Sequence, residues 1–144
     1  AVKKRDNSNP VYYVQYAHAR VCSILRRASD VTAEQAAEMG MKAVAAKAIG
    51  ENVDYSLLTD PTELALSRKL NELTDLIASC ARDRAPFRLT HFAEELAAAC
   101  QVLPSEGRPV DSELSRARLA ACDAVRVTLA LVLTLVGVTA PEQM

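Results

Sequence analysis

The stretch Asn9-Pro10-Val11-Tyr12-Tyr13-Val14-Gln15-Tyr16-Ala17-His18-Ala19-Arg20 decides the class of the fold. Asn9 can accept hydrogen bonds from the free N–H groups of a first helical turn. Proline suits the first helical position, where its missing donor costs nothing. From there Val11, Val14, His18, Val21, Leu25 and Ala28 recur at three- and four-residue spacing. That is the period of an amphipathic helix, with one histidine set in its apolar stripe.

Outward from this helix the same signals return. Thr32 and Gln35 form a capping box that opens a second helix, running through Met41, Val44 and Ala48 to a stop at Gly50, with Gly40 inside it. Asp60, Pro61 and Glu63 open a third along Leu66, Leu70, Leu73, Ile77 and Cys80, broken by residues 83–86. A fourth runs from about Pro86 to Leu103, with Leu89, Phe92, Leu96, Cys100 and Leu103 inward. Residues 104–112, with Gly107 and Pro109, read as a loop. A fifth helix starts near Asp111 or Ser112 and ends at Gly137, burying Leu114, Ala121, Cys122, Val125, Leu129, Val132 and Val136. The expectation is an all-α protein: one bundle of about five helices in a single domain, residues 1–144.

Composition agrees. Half of the 144 residues are apolar, mostly Ala, Leu and Val, and only six are aromatic, none of them Trp. Four glycines are too few for an all-β chain with its frequent turns. A chain of this length buries about two-thirds of its unfolded surface, enough for a core without staples. The most apolar run, Val127–Val138, is 12 residues long, too short to span a bilayer, and is expected to be a buried core helix. The first residues are charged and no short apolar region follows, so a signal peptide is not expected.

The net charge of −1 argues against a general nucleic-acid binder, but the charge is unevenly spread. Residues 1–27 carry Lys3, Lys4, Arg5, Arg20, Arg26 and Arg27 against Asp6 alone, a local +5, and the remainder is −6. Such polarity lets one face meet a polyanion while the rest stays acidic.

The residues for catalysis are missing. There is no glycine-rich phosphate loop and no HExxH. The two histidines are His18, on the apolar stripe, and His91. Cys22, Cys80, Cys100 and Cys122 form no CxxC pair and sit in apolar helical runs, as buried reduced thiols do. A zinc site from Cys100, Cys122 and His91 lacks the local ligand pairs that zinc sites show, so no metal is expected.

One pattern does carry function. With Tyr13 set at 0° and about 100° per residue, Tyr16, Arg20, Ser23 and Arg27 fall within about 80° of one another and of Tyr13. The apolar stripe centres about 100° away on the other side. Two aromatic rings aligned with two guanidiniums suit unstacked bases and phosphates. Equally, the tyrosines can pack on a neighbouring helix while the arginines cover the rim.

The residues Asn9–Arg20 also resemble the segment that opens the C-terminal anticodon-binding domain of arginyl-tRNA synthetases. Tyr55–Leu70 (YSLLTDPTELALSRKL) and Phe87–Ala98 (FRLTHFAEELAA) resemble later helices of that domain. Arg118–Met144 resembles its ending, with Asp123-Ala124-Val125-Arg126 where the family's DALR signature sits and Gly137–Met144 at the terminus. These segments cover nearly the whole chain, in order. The resemblance implies a helical bundle that holds the anticodon stem-loop while a separate domain makes arginyl-tRNA from arginine, ATP and tRNA. It places Tyr13, Tyr16, Arg20 and Met144 near the anticodon loop, with Asp123 and Arg126 a signature pair as structural as RNA-contacting. Two departures stand out. The family carries a short aromatic stretch between Ala99 and Cys100 that is missing here, and Glu142-Gln143-Met144 stands where Glu-Arg-Met is common.

The expected RNA-binding residues are therefore Tyr13, Tyr16, Arg20, Arg27 and Met144, with no catalytic residue in this chain. The expected partner is an arginine-accepting tRNA in the cytoplasm, together with an upstream synthetase catalytic domain if the chain is a fragment. Neither DNA nor membrane is expected, and no cofactor, since ATP is implied only for the separate domain. The alternative is a freestanding, diverged homologue that binds RNA or protein. Arginine-dependent ATP–pyrophosphate exchange by the 144-residue chain should stay at background, and exchange clearly above a buffer control would overturn the non-catalytic reading.

Overall fold

The computed structural model describes residues 8–103 and 112–144, which hold helices and turns and no strand. The all-α expectation is met. The basic residues Lys3, Lys4 and Arg5 and the loop with Gly107, Pro109 and Asp111 lie outside the described residues.

Helix α1 spans Pro10–Ala28, and the Asn9 side chain accepts from the Val11 N–H at 3.1 Å. Its buried residues Val14, Ala17, His18, Val21, Cys22 and Leu25 follow the stripe read from the sequence. At the other end the chain closes with α7, Glu113–Leu135, capped by the Ser112 side chain. α1 packs against α7, α6 and α3, so it lies at the centre of the bundle.

The second expected helix is two. α2, Ala33–Met39, starts at the Thr32–Gln35 capping box, and α3 runs Met41–Ile49. Gly40 separates them at φ +83° and ψ 146°, a conformation that side chains with a Cβ avoid. Its N–H closes α2 on the Ala36 carbonyl at 2.8 Å, and its own carbonyl accepts from Ala43 and Val44 to open α3. At the far end of α3, the Arg116 guanidinium reaches from α7 to the carbonyls of Ile49, at 2.7 Å, and Glu51. A cation there satisfies acceptors that a helix C-terminus leaves open.

The third expected helix also divides. α4 spans Pro61–Asn71 and α5 spans Leu73–Asp83. Glu72 lies between them, its N–H turned to the Lys69 carbonyl at 3.2 Å in a tightened turn. Arg68 and Lys69 close α4 while Asp75 sits in the first turn of α5, the charges that two separate helix dipoles favour. α6, Phe87–Ala99, is shorter than expected, passing into a 3-10 turn at Cys100–Val102. The bundle thus has seven α-helices among the described residues, against about five expected.

The Val127–Val138 run is not wholly buried. Leu129, Val132 and Leu133 enter the core, but Val127, Leu131 and Leu135 are 44–50 % exposed. α7 packs only one side on its neighbours, so the residues at four-residue spacing on the other side meet solvent. No described helix is long and apolar enough to cross a membrane.

All four cysteines are free and buried, and burial pushes Cys22, Cys100 and Cys122 up to about 12, leaving them protonated at neutral pH. No group of three or more potential ligands is set to hold a metal among the described residues. His91 is exposed and pairs with Glu95 at 2.7 Å, while Cys100 and Cys122 are in the core.

His18 is buried and donates from Nδ1 to the Pro141 carbonyl at 2.8 Å, which fixes its neutral tautomer. Burial lowers its affinity for a second proton, Arg126 pushes the same way, and the Pro141 bond and Glu142 oppose. The unfolded chain therefore takes up this proton more readily than the folded one. Stability from this group is full above the ordinary value of 6.5 and is lost as the pH falls below it. Thermal melts from about pH 7.5 down to about pH 5.5 should show a decline that His18→Gln flattens. An unchanged slope in the variant would assign the decline elsewhere.

Candidate nucleic-acid interface

Burying the stripe of α1 turns its opposite face outward. Tyr16 is 47 % exposed and Arg27 is exposed. Arg20 is half-buried, donating from Nη1 to Gln101 Oε1 at 3.3 Å. The chain end comes to the same place. Residues 138–144 run beside α1, and Met144 is 54 % exposed.

Together these form a cleft of about 380 Å³, lined by Tyr16, Arg20, Ser23, Arg26, Arg27 and Met144. That volume falls within the about 300–1,000 Å³ of small-ligand sites. No acidic side chain lines it, and among the described residues none of its three arginines is ion-paired with a carboxylate. Arg26 donates to the Glu142 carbonyl at 2.9 Å, and Arg27 is exposed.

Four of the five expected residues, Tyr16, Arg20, Arg27 and Met144, thus share one cleft. Tyr13 does not line it. Its ring packs half-buried on the core, in a crevice with Ala97, Cys100 and Gln101, and its hydroxyl accepts from Gln101 Nε2 at 3.4 Å. Gln101 follows the end of α6, and Tyr16 and Arg20 line this crevice as well as the cleft, so the two tyrosines stay neighbours while only Tyr16 reaches the cleft. The sequence reading missed Arg26 as a cleft residue. It lies about 100° from Arg27 around the helix, and the tail beside it brings it into the lining. The signature residues Asp123 and Arg126 pair within α7 at 2.8 Å, both partly buried, outside the cleft lining.

A larger opening of about 590 Å³ lies between α4, α5 and α6, with Leu76, Phe87 and Phe92 as its apolar lining. Its cations are already matched. Lys69 pairs with Glu72 at 3.2 Å and with Glu95, and Arg88 with Asp83 at 2.8 Å. A polyanion gains less there than at the unpaired arginines of α1.

The family model for the DALR anticodon binding domain matches residues 14–144. An arginine–tRNA ligase of Bacillus cereus is 43 % identical over 143 residues, covering 97 % of this chain and 23 % of the ligase. One from Moorella thermoacetica is 41 % identical, with 99 % of this chain and 24 % of the ligase covered. The chain therefore spans about a quarter of the length of these relatives. A solved Campylobacter jejuni structure, assigned as an arginyl-tRNA synthetase, has the same fold, with a TM-score of 0.70 at 23 % identity over 99 % of this chain and 28 % of that one. From its fold through its C-terminal residues, the chain belongs to the DALR anticodon binding domain family.

Proposed function

We propose that this domain grips the anticodon stem-loop of an arginine-accepting tRNA in the cleft between α1 and the C-terminal residues. It would position that tRNA for a catalytic domain that joins arginine to it at the expense of ATP. The observation that carries this is the exposed Tyr16 ring flanked by Arg20, Arg26 and Arg27, three cations without carboxylate partners among the described residues. A ring with a free face stacks on an unstacked base, which the single-stranded loop of a tRNA hairpin supplies and a duplex does not. Guanidiniums around it pair with the phosphates on either side. Met144 adds a polarisable apolar contact at the rim. The domain's part is binding and orientation, with bond-making left to the partner domain. The cytoplasm, where tRNA is charged, is the proposed site of action, and four free thiols suit its reducing conditions.

Tyr16→Ala should weaken binding of arginine-accepting tRNA by about 1–3 kcal/mol, the usual worth of a base–aromatic stack, with little change in melting temperature. Arg27→Ala should instead reduce the slope of log affinity against log salt by about 1, because one phosphate contact fewer releases fewer counterions. Titrations at two salt concentrations, with thermal melts alongside, read both effects. A Tyr16→Ala protein that melts several degrees lower, yet binds normally in its folded fraction, would make this ring a packing residue and remove the cleft from the account.

A further inference from the structure

The C-terminal residues are fastened to α1 by an unusual set of bonds. Gln15 Nε2 donates to the Thr139 carbonyl at 2.8 Å, His18 Nδ1 to the Pro141 carbonyl at 2.8 Å, and Arg26 Nη1 to the Glu142 carbonyl at 2.9 Å. All three donors stand on α1, and all three acceptors are main-chain oxygens. On the helix wheel they fall within about 80° of one another, on the flank between the buried stripe and the Tyr16–Arg27 ridge. Donors and acceptors rise in number together, so the tail runs parallel to α1 and delivers Gln143 and Met144 alongside Arg26 and Arg27. The cleft lies between this tail and the ridge, and Gln143 and Met144 line it.

We infer that Gln15, His18 and Arg26 are positioning residues that lock the tail in place as one wall of the RNA-binding cleft. This rests on the reading of that cleft as the tRNA site. Because the bonds go to carbonyls, they fix where the tail lies while leaving the side chains of Gln143 and Met144 free to face a ligand. They also couple the tail to α1 itself, so the wall cannot shift without breaking bonds to the helix that bears Tyr16. A hydrogen bond from a half-buried amide such as Gln15 is modest alone, but beyond these three bonds the tail is ordered at its start, where the Val138 N–H donates to the Leu133 carbonyl at 2.9 Å and Val138 and Ala140 pack on the core.

Gln15→Met tests this most cleanly. It keeps the length of the side chain, replaces the amide donor with an apolar thioether, and alters a residue outside the cleft lining. His18→Gln serves as a second variant, with its melting measured because the site is buried. Carboxypeptidase release of Met144 and Gln143 from the full chain needs no RNA and should be about fivefold faster in Gln15→Met. tRNA affinity should fall by about three- to tenfold in Gln15→Met. The same substitution should have no effect in a chain ending at Glu142, where the wall is already gone. Unchanged release rates would overturn the lock. Faster release with unchanged tRNA affinity, while Tyr16→Ala still weakens binding, would overturn the wall and leave the tRNA reading standing. A parent chain that binds no tRNA would sink that reading, and the release rates would then judge the lock alone.

Discussion

The burial of one valine–leucine face of α1 against α7 holds the rest of the molecule in place. Val14, Val21 and Leu25 on one helix, and Val125, Leu129 and Val132 on the other, are 0–2 % exposed and belong to a single core cluster. Each such side chain contributes about 1.5–3 kcal/mol on leaving water. Small residues let the neighbouring helices come close, with Ala17, Ala97 and Ala117 also buried. Truncating Leu25 would leave a void at the centre of this packing and cost about 2–5 kcal/mol. Since α6 and α3 close on the same helix, α1 has no freedom to turn, and its opposite face is presented to solvent as a consequence.

Electrostatics then separates the two sides. From α4 to α7 the charges are largely spent on one another: Lys69 with Glu72 and Glu95, Arg88 with Asp83, Arg118 with Glu63, Arg126 with Asp123. Arg20, Arg26 and Arg27 meet neutral acceptors or solvent instead. A chain with net charge −1 thereby keeps a concentrated positive face. That arrangement favours a polyanion at α1, which the total charge does not reveal.

Much of this was legible in the sequence because helix starts are local chemistry. Asn9, Thr32, Asp60 and Ser112 each cap the helix that their neighbours announce, with Pro10 and Pro61 in the first turns. Interior breaks were harder. A glycine costs a helix only about 1 kcal/mol, so Gly40 alone did not separate a weak position from a boundary. The turn at Glu72 carries no breaker at all, and its signal was the change from basic to acidic residues across it. The site was legible in part. Tyr16, Arg20 and Arg27 follow from helical period, whereas the loss of Tyr13 to packing depends on Gln101, which is distant in the chain. Arg26 and the tail could not be found from spacing, since their bonds run to main-chain carbonyls that every sequence possesses.

The central claim is that RNA occupies the cleft between α1 and the C-terminal residues. The most direct measurement is an amide chemical-shift map of the isotope-labelled chain titrated with a hairpin RNA of the arginine tRNA anticodon stem-loop. The account predicts changes concentrated on residues 16–27 and 139–144, with the α4–α6 opening around Phe87 and His91 unaffected. Changes centred on that opening, or none at RNA concentrations that saturate a weak site, would contradict it.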